Sequence, residues 1–441
     1  MTDGSQQSDF ATLFRNSAPY INAFRGRTFV VVFSGEALLA DNFDSLVHDF
    51  ALLHSLGIRL VLVYGARPQI EKRLQEQGLT TPLHKNVRIT DEKALQCVKE
   101  AVGSARTEIE ALLSMGLANS PMAGVRLCVT SGNFVIAKPY GVHEGIDHQY
   151  TGEIRRVDAA AINRQLEDGT IVLLSPLGYS PTGEVFNVTA ESVATATAKA
   201  LNAHKLIYLT EGMDIVDNLK HTIHQLSIQD AQQLLIAQPD INEDIRHILS
   251  SAIQVCQHGV KRVHIINRKS DGALLQELFT RDGVGTLISG DQYEGTRSAT
   301  IDDVPGILEL IKPLEQHGVL VRRSRERLET EINQFTVMER DGMVVACAAL
   351  YSYEDSAIAE LACLAVHADY QQQGRGNTLL EYIENVARQN NIKQLFVLST
   401  QTSHWFKERG FMPSDIDALP VQKKLLYNYQ RNSKVFIKQL V

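Results

Sequence analysis

Apolar residues fall along this chain in two alternating rhythms. The stretch Thr28 to Phe33, TFVVVF, is a short continuous apolar run, the mark of a strand buried on both faces, and it ends at Ser34-Gly35. The next segment switches to helical spacing, with Phe43, Leu46, Val47, Phe50 and Leu53 on one side and Gly57 closing it. A second apolar run follows from Ile58 to Tyr64, which completes a βαβ unit. Similar runs recur at Thr170 to Leu174, Leu206 to Leu209 and Val263 to Ile266, separated by helix-length segments. The pattern predicts a layered α/β domain over residues 26–288, preceded by an arm, residues 1–25, with a short helix from Asp9 to Asn16.

The stretch Ser289 to Ala299, SGDQYEGTRSA, is polar with two glycines and no apolar period, so residues 289–299 read as a linker. Beyond it, ATIDDVPGILELIKPL reads as strand, turn and helix, and FTVMERDGMVVACAALYSY as a hairpin turning at Asp341-Gly342. A second, smaller α+β domain is expected over residues 300–441. Its most informative segment is Ile358 to Glu381. There an apolar strand passes through a glutamine- and glycine-rich turn, Gln371-x-x-Gly374-x-Gly376, into a helix whose inward face carries Leu379, Leu380, Ile383 and Val386. Glycines remove Cβ atoms and let backbone N–H groups converge on an anion at the positive end of the helix, as a pyrophosphate cradle requires.

Within the run Ile358 to Val366 the only ionisable carboxylate is Glu360, and strict alternation would place it on one face with Ala362, Leu364 and Val366. A carboxylate among apolar neighbours is suited to taking a proton from a reacting group, and Glu360 is the candidate base. Arg322, Arg323 and Arg325 in LVRRSRER, with Arg431 in NYQRNSK, are candidates to grip a carboxylate-bearing acceptor, because guanidiniums bind carboxylates bidentately.

Length and composition narrow the class. The 441 residues suggest two domains, and the net charge of -8, from 51 acidic and 43 basic residues without a block of one sign, points away from nucleic acid and anionic membranes. Cys97, Cys128, Cys256, Cys347 and Cys363 are scattered without C-x-x-C spacing, which argues for reduced thiols, not a disulfide framework or a structural zinc site. No apolar run approaches the ~18 residues of a membrane span, and the expected location is the cytoplasm.

The glycine turn between strand and helix resembles the acetyl-CoA motif of the GNAT acetyltransferases, Q/R-x-x-G-x-G/A, and the likeness covers about residues 297–441. It implies acetyl-CoA as co-substrate, held by Gln371, Gln373, Gly374, Arg375 and Gly376, with the pantetheine arm along a splayed strand at Cys363, Leu364, Ala365 and Val366. It also implies that Ser399, or a C-terminal tyrosine such as Tyr427 or Tyr429, protonates the departing thiolate. Residues 26–288 resemble the amino-acid kinase fold through VVFSGEALL, VLVYGARPQI, SGNFVIAKP and GALLQELFTRDGVGTLI. That family's catalytic lysine is replaced by Val32, one glycine by Ser34, and two more by Ala66-Arg67, so kinase activity is not expected.

The last of those segments resembles the arginine-binding signature of feedback-controlled members of that family. This implies an effector site of Tyr20, Lys205, His264, Glu277, Gly283 and Gly285, with Lys205 receiving the effector carboxylate, and a hexamer built through the N-terminal helix. Together the two domains resemble the family of N-acetylglutamate-forming amino-acid N-acetyltransferases. The likeness implies L-glutamate as acceptor (Arg322, Arg323, Arg431), L-arginine as inhibitor, and no metal. An amino-acid sensor or a lysine acetyltransferase is the alternative, though the acceptor region is arginine-rich where a lysine substrate would favour acidic residues.

Overall fold

The computed structural model describes every residue except 1–3, 85–86, 116–121, 218–220, 239–240, 291–293, 341, 354–356, 372–373, 402, 429–430 and 441. The chain divides into two compact units, Met1–Asp291 and Gln292–Val441. In the first, the apolar runs form the centre of an eight-stranded sheet in the order Gln225–Ser227, Thr286–Ser289, Arg262–Asn267, Lys205–Thr210, Thr28–Phe33, Arg59–Tyr64, Ile171–Leu174, Val129–Thr130. Pairing is parallel throughout except between Arg262–Asn267 and Thr286–Ser289. Both sheet faces are buried: Phe29, Val31 and Phe33 point into one core, Val30 and Val32 into the other, which is why these strands read as unbroken apolar runs. A smaller four-stranded sheet, Val185–Asn187, Leu177–Tyr179, Val135–Pro139, Gly152–Val157, completes the unit.

The N-terminal helix is longer than its sequence suggests, Gly4–Phe24 rather than Asp9 to Asn16. It contains Pro19, whose missing N–H costs the helix one backbone bond. The last turn is held instead by tertiary contact. Phe24 packs on Phe29 and Phe279, at ring separations of 5.2 and 6.0 Å, and the Ser17 hydroxyl donates to the Phe279 carbonyl at 3.1 Å.

The second unit is built on a seven-stranded sheet in the order Glu294–Ser298, Phe335–Arg340, Met343–Tyr353, Ile358–Val366, Gln394–Ser399, Lys434–Gln439, Met412–Ser414. The first of these strands lies in the segment expected to be a linker. Its polar side chains suit a sheet edge, where Arg297 bridges Asp303 and Glu339 at 2.7 and 2.5 Å across the pair with Phe335–Arg340. The strand expected just after it is absent; Thr300 and Asp303 form a capping box leading into the helix Val304–Gln316. The hairpin Phe335–Arg340/Met343–Tyr353 is antiparallel as its sequence predicts, with Asp341 itself outside the described residues.

The strand Ile358–Val366 departs from regularity at Cys363, which has φ +53° where the register with Met343–Tyr353 shifts. This β-bulge resets the alternation. Glu360 therefore does not share a face with Leu364 and Val366; those two pack with Ala359 and Leu361 against the helix Arg375–Gln389, while Cys363 and Ala365 join the opposite core.

Candidate functional site

The strand Ile358–Val366 runs parallel to Gln394–Ser399 only at Ile358, Ala359 and Glu360, paired with Gln394, Leu395 and Phe396. Past that point the two strands part. Cys363 and Ser399 each lie three residues beyond the last pair, Glu360 with Phe396, one on each arm of this V, and both are buried. The bulge at Cys363 turns the backbone at the point where the first arm lines the opening.

At the closed end of the V sits Glu360, 6% exposed. Its Oε2 meets the Lys423 ammonium at 2.6 Å and accepts the Tyr353 hydroxyl at 3.3 Å. Burial, then the charge of Glu360, pushes the Tyr353 phenol up, so it stays a donor. Sequence reasoning missed both partners. Only the basic pair Lys423-Lys424 hinted at one of them.

Arg323 lies beside Cys363, within range of the charge of Arg431. Burial works against the charge of Arg323, yet Cys363, Tyr351 and Glu331 around it hold its pKa above the ordinary value. Burial and the facing charge of Arg323 depress Arg431, whose guanidinium donates to the carbonyls of Gly318 and Val319. The Arg323 Nε is buried without a hydrogen-bond partner. Glu331 and Tyr351 already accompany the Arg323 guanidinium, and its Nη1 donates to the Val321 carbonyl at 3.2 Å, so Nε is the donor left for an anion such as a carboxylate to take. Arg322 and Arg325 are exposed, and Arg325 is paired to Glu329 at 2.8 Å along its own helix.

The glycine turn adopts the form its residue types suggest. Gly374 has φ +79° and caps the helix Arg375–Gln389, and a Cβ on Gly376 would press on Trp405 at 3.2 Å. Gln371 donates through Nε2 to the Val366 carbonyl at 3.2 Å, tying turn to splayed strand, while Gln373 lies outside the described residues. Arg375 departs from expectation: its side chain is buried and donates to Glu294 through both Nε and Nη2, at 2.9 and 2.8 Å. It is directed to a carboxylate, not toward an open anion site. Of the rival acids, Tyr427 donates to the Ser433 carbonyl at 2.6 Å, and Tyr429 lies outside the described residues.

In the first unit four of the expected effector residues, Lys205, His264, Glu277 and Gly285, are joined in one relay. Lys205 Nζ donates to His264 Nε2 at 2.8 Å, and His264 Nδ1 meets Glu277 Oε1 at 2.6 Å. Glu277 Oε2 accepts the backbone N–H groups of Val284 and Gly285 at 2.7 and 2.8 Å, beside Gly283 with φ +61°. Burial, then the Lys205 charge, lowers His264 to about 4, so the ring is neutral and its tautomer is set by its neighbours. Burial opposes the charge on Glu277, but the bonds from His264, Gly285 and Val284 prevail and hold it at about 2. Lys205 is 2% exposed and lies over the Phe24 ring at 4.9 Å, so it is engaged by the relay and by the N-terminal helix on which half-buried Tyr20 also sits.

At the carboxyl ends of the central strands, Ser34 donates to Glu211 at 2.7 Å, Arg268 to Glu211 at 2.6 Å and to Asn42 at 2.9 Å. Arg268, which shares Glu211 with Ser34, is thus bound within the protein. Val32 is buried in the core, and Ala66 opens the helix Arg67–Glu76.

Residues 27–267 match the amino acid kinase family, and residues 331–413 the acetyltransferase (GNAT) domain. Amino-acid acetyltransferases from Ectopseudomonas mendocina and Azotobacter vinelandii are each 54% identical, over 98% of this chain and 100% of theirs. The crystal structure of N-acetylglutamate synthase from Neisseria gonorrhoeae complexed with coenzyme A and L-arginine is similar at 39% identity and a TM-score of 0.89, covering 98% of this chain and 99% of that one. The same enzyme complexed with coenzyme A and N-acetyl-glutamate superposes with a TM-score of 0.62.

Proposed function

Because the chain belongs to the amino-acid acetyltransferase family, we propose that it moves the acetyl group of acetyl-CoA onto the α-amino group of L-glutamate and is inhibited by L-arginine bound to its kinase-like unit. The product, N-acetyl-L-glutamate, opens arginine biosynthesis. The observation that carries the acceptor assignment is the Arg323–Arg431 pair with its orphaned Nε beside Cys363.

Each step has a residue in place. Glu360 takes the proton of the α-ammonium, which must first displace the Lys423 ammonium from Oε2. The freed amine attacks the thioester carbonyl in the V, where backbone N–H groups at the Cys363 bulge polarise the carbonyl oxygen. The tetrahedral intermediate collapses with cleavage of the C–S bond: Ser399, on the strand Gln394–Ser399, protonates the thiolate and regains a proton from the positively charged nitrogen of the intermediate, leaving the neutral amide. The turn at Gly374 and Gly376 offers the pyrophosphate the N-terminal N–H groups of the helix Arg375–Gln389. Tyr20, Lys205, His264, Glu277, Gly283 and Gly285 form the arginine site, and the assignment of residues 26–288 to regulation and 300–441 to catalysis follows the same division.

Leu13 and Phe14, 56% and 61% exposed on the N-terminal helix, support a homo-oligomer, read as a hexamer. No helix among the described residues is long and apolar enough to cross a membrane, and we place the enzyme in the cytoplasm. The test follows free thiol during incubation with acetyl-CoA and a panel of amino acids. Glutamate should be the preferred acceptor, and Glu360→Gln should lower kcat about 10²-fold. A loss under about threefold with intact acetyl-CoA binding moves the base elsewhere.

A further inference from the structure

The carboxylate of Glu294 stands where three elements of the catalytic unit meet. It opens the edge strand Glu294–Ser298 and lies opposite Arg340 in the register. Both of its oxygens are taken. Arg375 reaches it through Nε and Nη2 in the planar two-bond geometry, and Arg340 adds a third bond at 2.9 Å. The guanidiniums of Arg375 and Arg340 also lie over the ring of Tyr370, 4.9 and 5.6 Å from its centre. Tyr370 is 2% exposed and ends the short turn Ala368–Tyr370, which leads from the splayed strand into the glycine loop. Burial opposes the charge of Glu294, and the two arginines overcome it, holding the carboxyl below its ordinary range.

Arg375 is the first helical residue after Gly374, inside the loop that cradles the pyrophosphate. Its charge is neutralised by Glu294, and its side chain is 9% exposed. A cation held this way contributes little field to a phosphate, but it fixes the loop backbone, and a loop already in its bound shape binds without an ordering cost. We propose that Glu294 is a positioning residue for acetyl-CoA: with Arg340 and Tyr370 it anchors Arg375, and Arg375 serves the co-substrate as an anchor for the loop, not as a phosphate ligand. This deepens the acetyl-CoA assignment above and rests on it.

The test measures CoA affinity by calorimetry, with steady-state kinetics, on the full chain and on Glu294→Ala, Arg375→Ala, the double variant and Arg375→Lys. Each single alanine variant should weaken CoA binding and raise the KM for acetyl-CoA about tenfold, with kcat at saturating acetyl-CoA and the KM for glutamate within about twofold. The double variant should be no worse than either single one, because the two residues act as one anchor. Arg375→Lys keeps the charge but cannot span both carboxylate oxygens, so it should resemble Arg375→Ala. It also serves as the readout should Glu294→Ala fail to fold. Near-normal affinity in Arg375→Lys, losses that add in the double variant, or a Glu294→Ala protein with unchanged CoA affinity would each overturn the proposal. A parent protein that binds no CoA would instead sink the acetyl-CoA reading beneath it.

Discussion

Individual side chains show where local pattern suffices and where it fails. Glu360, Arg323 and Arg431 could be singled out as candidates because a lone carboxylate in an apolar strand and a cluster of arginines stand out from their neighbours, and the structure buries Glu360 and brings the two arginines within reach of each other's charge. Lys423 and Tyr353, which touch Glu360, were not, because their contacts depend on a strand pairing and a C-terminal helix that no spacing rule connects. Arg375 was assigned to the co-substrate by its place in the glycine motif, and its salt-bridge partner Glu294 lay in a stretch that looked like linker. Asp49 illustrates a different buried charge. Burial on the helix Phe43–Ser55, then the neighbouring charge of Asp271, raises its pKa from 3.8 to about 7. Its folded pKa lies above the unfolded one, so it weakens the fold progressively as pH rises from 3.8 through 7. Asp49→Asn removes that liability: thermal melts should show the variant more stable than the parent at pH values above about 7, with the gap closing in acid. An equal gap at every pH would assign the effect to packing.

Elements were legible where burial is two-sided. The central strands of the kinase-like unit could be read from their apolar runs, and the helix after Gly374 from its inward leucines. An edge strand hides, since one side of its ladder is open and its side chains are polar, and so Glu294–Ser298 passed for linker. The Cys363 bulge was equally invisible, because one extra residue leaves composition and period unchanged while reversing which side chains face which core. The glycine turn carries its own prediction. A Cβ at Gly374 meets nothing within 4 Å, and aspartate tolerates positive φ better than most residues, so Gly374→Asp should fold. Its carboxylate would stand at the helix terminus meant for pyrophosphate, raising the KM for acetyl-CoA far more than that for glutamate. Equal effects on both constants in steady-state kinetics would show that the turn does not hold the co-substrate.

For the molecule as a whole, the order of the two units was readable from the sequence, whereas the reach of the N-terminal helix was not, because Phe24 is held by Phe279 from the far end of the same unit. That contact puts the effector relay at the centre of the regulatory prediction. Glu277→Gln keeps size but loses the charge that would meet a guanidinium, a contact that contributes ~1.5–3 kcal/mol, so inhibition should need roughly tenfold more arginine or beyond. Activity without arginine should stay near normal, since coupling between sites is a difference between states and Glu277 belongs to the other unit from Glu360. Inhibition curves that coincide for the two proteins would remove Glu277 from the effector site. The position of the relay along the chain has one more consequence. Its residues run from Lys205 to Gly285, and the strand bearing Glu360 does not begin until Ile358. Domains fold in the order in which the ribosome releases them. During synthesis, then, the sensor is complete before the catalyst has been translated, and each new enzyme molecule acquires its arginine brake before it has any activity to restrain.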